Sequence, residues 1–222
     1  MLSAEYLASI ESEGRRLGMA LRRDPQREVP QYPGWTLADL ASHTGSIHAR
    51  TTLICRERPQ ERISSPKPSE GGDPLDWYES NLEEMLEALT NADPEKEVWA
   101  LGSPENLGFW ERRMVVETGV HRWDAYQAFG EEDRLTDTVA RAGLDEFGDM
   151  WHRYLGELRP LRVRATDLEA IWEFGSGGDL EEVVGTASEI YLRLMSRPSV
   201  VVLPRDWAEA VDSLPPTPKP GS

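Results

Sequence analysis

The chain has 222 residues, a formal net charge of −16, 39% hydrophobic and 29% charged residues, and a single cysteine, Cys55. Such a chain suits one large or two modest globular domains. It lacks the apolar run of about 20 residues that a membrane span needs. The acid excess argues against nucleic acid or an anionic membrane as partner, since both require a basic face. One cysteine excludes an internal disulfide framework and fits a reducing cytoplasm. The opening residues Met1 to Tyr6 lack the basic and then apolar pattern of a signal peptide, so the expected location is cytoplasmic.

Ser3 to Arg22 reads as a first helix, with Leu7, Ile10, Leu17 and Leu21 along one side. A loop at 23–35 leads to Thr36 and Asp39, the spacing of a helix N-cap and its N3 acid. The second helix, Leu37 to Arg58, carries an apolar row at Leu37, Leu40, Ile47 and Ile54, and His43 falls inside that row. His48 lies five residues further on, off that face, and is expected at the surface or in a cap. Pro59 to Pro74 reads as a long loop. Leu75 to Asn91 is a third helix, with Leu75, Leu82, Met85, Leu86 and Leu89 inward and Glu83, Glu84 and Glu87 on a solvated face. A connection at 93–108 follows, carrying Trp99 and Leu101.

The fourth helix, Trp110 to Phe129 with Gly130 as its stop, holds the chemistry. Its core-facing row is Trp110, Met114, Glu117, His121, Ala125 and Ala128, so Glu117 and His121 stack one turn apart where apolar residues would be the simple choice. A carboxylate on an inward face costs several kcal/mol unless it is paired or binds a metal. His43, Glu117 and His121 together are three ligands of the kind zinc accepts, with no fourth, the ligand count of a catalytic site that keeps one position open. Asp124, beyond His121, either orients that imidazole or pairs with a base such as Arg122. Cys55, next to Ile54, reads as a packing residue and not as a nucleophile.

Leu135 to Leu158 is a further helical pattern, with His152 read as a surface residue. From Arg159 the texture changes. Leu161 to Thr166 alternates with period two, as a half-buried strand does. Residues 170–174, 182–185 and 199–203 read as further strands, 186–195 and 206–213 as helices, and Pro215 to Ser222 as a disordered tail. The expected fold class is α+β: a helical bundle at 1–158, a small α/β domain at 159–214, and the tail at 215–222.

Two runs, Gly34-Trp-Thr-Leu-Ala-Asp-Leu-Ala-Ser-His43 and Glu117-Thr-Gly-Val-His-Arg-Trp-Asp-Ala125, lie in this order about 75 residues apart. Together they resemble the mycothiol-dependent maleylpyruvate isomerases, part of the DinB-like group of metal-binding four-helix bundles. The resemblance implies a sterol-carrier-like C-terminal domain. It implies His43, Glu117 and His121 as zinc ligands and mycothiol as an external thiol with its sulfur on the zinc. Arg197 matches the family's arginine near the end of the C-terminal domain's helix, implying a group that holds an acidic part of substrate or thiol. The segment Pro204-Arg205-Asp206-Trp207 replaces the Gly-Asp turn of the family pattern. The function so implied is a zinc-dependent thiol S-transferase or thiol-assisted isomerase acting on a small electrophile, as a monomer or homodimer. A non-catalytic metal-binding module and a hydrolase using zinc-bound water are the alternatives on the same bundle.

Overall fold

The computed structural model describes residues 4–151, 155, 158–214 and 219–220. The architecture is the expected α+β one: an N-terminal helical bundle, then a small three-stranded sheet with its own helices. No helix among the described residues is long and apolar enough to cross a membrane.

The first compact unit contains α1 (Ala4–Arg23), α2 (Leu37–Glu57), α3 (Pro74–Thr90) and α4 (Leu107–Gln127). α2 begins where its cap predicts. The Thr36 hydroxyl accepts from the Asp39 backbone N–H, and the Asp39 carboxylate accepts from the Thr36 N–H at 2.8 Å, so both halves of the capping box are made. Residue pairs give the helix directions. Arg56 meets Glu84 while Gly45 lies against Trp77, so α2 and α3 run parallel. Two parallel neighbours need a return path as long as the helix itself, which is the structural use of the long 59–73 loop: about 30 Å for a helix of this length. α1 closes the bundle against α3 and α4. Its tie to α4 is ionic as well as apolar: the fully buried Arg122 guanidinium donates to Glu13 of α1 and to Asp133.

The second unit runs from Arg134 to Pro216, so the division falls well before the boundary expected at 158. The reason lies in α5 (Asp137–Glu146), whose apolar face packs on α6 (Ala187–Leu194). A Cβ at Gly143 of α5 would lie 2.4 Å from the Tyr191 ring of α6, so the helices meet at the glycine. The expected helix to Leu158 instead passes into a π-helical turn at Phe147–Trp151; His152 lies outside the described residues. Strands β1 (Leu161–Ala165), β2 (Ala170–Phe174) and β3 (Glu181–Gly185) form one sheet of order β2-β1-β3, antiparallel for β1/β2 and parallel for β1/β3. Phe147, Phe174 and Trp207 of α7 (Arg205–Asp212) gather their rings within 6.5 Å of one another.

The expected strand at 199–203 is not one. The segment joins no sheet among the described residues, and it lies between Pro198 and Pro204. Its alternation is real but serves packing alone. Val201 and Leu203 are buried, Val200 and Val202 are exposed, and Val201 lies over Gly185. Of the tail expected to be disordered, residues 215–218 and 221–222 lie outside the described residues. Lys219 places its ammonium 3.0 Å from Asp39 and donates to the Gly34 carbonyl.

Candidate metal centre

α4 is buried almost all round, so its polar residues in the middle turns, Glu117, Thr118, His121, Arg122 and Asp124, all lie inside the unit. Each must find a partner there. Thr118 meets His48 at 3.1 Å, and Arg122 is taken by Glu13 and Asp133. That leaves Asp124 and, facing His43 of α2, Glu117 and His121.

There the structure brings together the three ligands expected from sequence. Nε2 of His43 lies 3.2 Å from Oε1 of Glu117, and Nε2 of His121 lies 3.1 Å from the same oxygen. The two imidazoles meet edge to face, 5.2 Å apart at 90°. One donor atom from each of the three falls within 4.8 Å of the others. Bonds of about 2.1 Å to a tetrahedral zinc would set its ligand atoms about 3.4 Å apart, and the two nitrogens here lie 3.2 and 3.1 Å from the shared carboxylate oxygen. The donor set, two imidazoles and one carboxylate, is also of the type zinc accepts.

Neighbouring groups fix each ligand. Asp124 presents Oδ2 3.1 Å from His121 Nδ1, which assigns the proton to Nδ1 and leaves Nε2 free to ligate. Of the roles open to Asp124 from sequence, this contact makes the one that orients the imidazole. Arg113, one turn before Glu117, donates to the second carboxylate oxygen, Oε2. The i, i+4 spacing was its signal, but it lies outside the apolar row that singled out Glu117. Trp35 stands 5.3 Å from the His43 ring and Tyr32 5.8 Å from the His121 ring, with Tyr32 and Trp35 stacked on each other at 4.7 Å. The side chains of Glu117 and His121 are 5% exposed and that of His43 18%, so the cluster opens to solvent on the His43 side.

Electrostatics follow the geometry. Burial disfavours the Glu117 charge, but Arg113 and the two histidines hold its carboxyl well below the usual carboxylate range. Burial would also lower His121, yet Glu117 and Asp124 outweigh it and raise its pKa to about 9 in the metal-free protein. A cation is therefore favoured at this cluster, whether proton or metal.

His48 is neither on the surface nor in a cap. It is fully buried between Thr118 and the Tyr78 ring, and burial pushes its pKa down to about 3. Cys55 is buried as expected, and burial pushes its thiol up to about 12. Arg197 lies in the second unit, after α6, where it donates to the Met195 carbonyl.

The mycothiol maleylpyruvate isomerase N-terminal domain family matches residues 7–126. No curated protein sequence matches the chain. Among solved structures, the mycothiol-dependent maleylpyruvate isomerase is similar over 96% of this chain and 95% of its own, at 15% identity and a TM-score of 0.68. A histidine-to-alanine mutant of that protein is similar over the same shares, at 15% identity and a TM-score of 0.69. With more than half of its length matched by the family's domain, the chain belongs to the mycothiol maleylpyruvate isomerase N-terminal domain family.

Proposed function

We propose that this chain is an enzyme that holds one zinc ion through His43, Glu117 and His121 and uses an external low-molecular-weight thiol, mycothiol, to attack a small electrophile. The observation that carries the reading is the convergence of two imidazole nitrogens on one carboxylate oxygen at 3.1 and 3.2 Å, with no fourth protein ligand among the described residues. Zinc bound there supplies a lowered thiol pKa, so that the nucleophilic thiolate exists at neutral pH. Glu117 contributes one negative charge, Asp124 keeps the His121 proton on Nδ1, and Arg113 sets the Glu117 carboxylate. Tyr32 and Trp35 keep water from one side of the cluster.

The protein's own thiol is a poor nucleophile, being buried and about 18 Å along α2 from His43. The family name and the solved structures of similar fold point to the thiol and to isomerisation. Attack on a double bond conjugated to a carbonyl breaks its π bond and moves the electron pair onto the carbonyl as an enolate. Protonation of the enolate carbon leaves the thiol attached, giving transfer, and collapse after rotation about the former double bond expels the thiolate, giving isomerisation. Arg197 is proposed, on the resemblance alone, to hold an acidic group of substrate or thiol.

The test is elemental analysis after zinc reconstitution, with turnover of a maleyl-type electrophile measured with and without mycothiol. One zinc per chain, lost in His121→Ala, together with thiol-dependent turnover is expected. Turnover without thiol would favour the hydrolase, and zinc without turnover the binding module.

A further inference from the structure

Among the described residues, the buried Arg50 of α2 has no counterpart charge. Arg50 is 8% exposed, and no hydrogen bond or ion pair reaches its guanidinium among the described residues. The chain has 40 acidic residues, yet no described one is paired with it. The charges that act on it most are Glu117, which attracts, and Arg113 and Arg62, which repel; burial and that repulsion pull its pKa down to about 10. Its one close neighbour of note is the Trp110 ring, whose centroid lies 5.2 Å from the guanidinium carbon. A buried, unpaired guanidinium costs several kcal/mol, more than a ring face returns. Leucine or methionine would fill the position without that cost.

Its place explains the choice. Arg50 lies seven residues, two turns, after His43 on the same side of α2, and Trp110 lies seven residues before Glu117 on the same side of α4. The helices run antiparallel, since His43 faces Glu117 where Arg50 faces Trp110. Arg50 and Trp110 therefore continue the ligand-bearing seam by about 10 Å along the helix axes. Arg113, between the two levels, adds positive charge.

We propose that Arg50, seated on Trp110, is a carboxylate-binding residue of this site and takes the remote acid group of the electrophile. The inference rests on the function proposed above and names, for that site, the residue that would hold the electrophile's acid group. The planar fork of Arg50 matches a carboxylate with two parallel N–H···O bonds. The Trp110 face holds the guanidinium plane in position for that pairing.

The test is calorimetric titration of the full chain with maleate, a small dicarboxylate, and with its uncharged dimethyl ester. It is run on wild type and Arg50→Met, each zinc-loaded and chelator-treated. Maleate binding is expected to weaken at least tenfold in Arg50→Met in both metal states, while the ester binds the two proteins alike and zinc content is unchanged. Equal maleate affinity in wild type and Arg50→Met overturns the proposal. If Arg50→Met does not fold, Arg50→Lys decides: it keeps the charge and loses the fork, so several-fold weaker maleate binding supports the proposal and unchanged binding overturns it. A wild-type chain that takes up no zinc would reject the metal reading and leave the comparison in metal-free protein intact.

Discussion

Asp124 and His121 meet at 3.1 Å, carboxylate Oδ2 to imidazole Nδ1, both within one turn of α4 and both closed to solvent. The contact fixes which nitrogen of His121 carries the proton and therefore which one faces Glu117. Partners of this kind typically account for about 10–100-fold in metal affinity. Asp124→Asn is expected to weaken zinc binding by that order in a competitive chelator titration, and less than His121→Ala does. An unchanged affinity would mean that Asp124 acts only in packing.

Arg113 bonds the carboxylate oxygen of Glu117 that the histidines do not use. Without metal, it is the permanent cation offsetting a buried charge. Arg113→Met should cost the metal-free protein about 3–5 kcal/mol, the range for breaking a buried pair. Zinc restores positive charge to Glu117, so the loss should shrink in the zinc-loaded protein. Melting curves with chelator and with zinc measure both states. Equal losses in the two would show that Arg113 does not act through the Glu117 charge.

His48 gives a pH signature separate from the metal. Buried beside Thr118, it stays neutral in the folded state down to about pH 3, whereas unfolded histidine takes a proton near 6.5. Between those values the unfolded state binds more protons, so stability rises with pH and falls on acidification, by at most about 1.4 kcal/mol per pH unit. His48→Gln should lower the steepness of the acid limb in chelator between about pH 6.5 and 3. An acid limb of unchanged slope would mean that His48 takes a proton inside the fold.

Cys55 is buried in α2 with its thiol pushed up to about 12. It should be dispensable. Cys55→Ser is expected to retain thiol-dependent turnover within about twofold, the difference expected of a small change in packing. Loss of turnover in a folded variant would place the nucleophile on the chain.

The ligand set was legible in the sequence because it broke a rule: Glu117, His121 and His43 sit in apolar rows, and no core row carries such residues without cause. The start of α2 was legible because the Thr36 and Asp39 capping box is local chemistry. Periodicity says that a face is buried but not against what. The apolar stripe of α5 would suit either unit, and its Gly143–Tyr191 contact, with the Trp172 indole bonded to Asp145, assigns it to the second. His48 departs from its expected surface or cap position because α2 buries more than one face. At about 140° from His43, His48 meets α3 and α4 together. Arg113 and Arg50 were invisible for the opposite reason. An arginine in a helix reads as solvated, and only the fold shows that these two point inward. The pattern at 199–203 has the alternation of a strand, but alternation reports one buried face and says nothing of a hydrogen-bonded neighbour.

The measurement that bears most directly on an external thiol at the His43–Glu117–His121 centre is the visible spectrum of cobalt-substituted Cys55→Ser protein titrated with mycothiol. Sulfur on the metal gives an intense thiolate charge-transfer band that nitrogen and oxygen ligands do not. The expected result is a band that grows to one equivalent of mycothiol in Cys55→Ser and is absent in the same protein carrying His121→Ala. A cobalt-loaded protein whose spectrum does not respond to mycothiol, with the ion still bound, would contradict it.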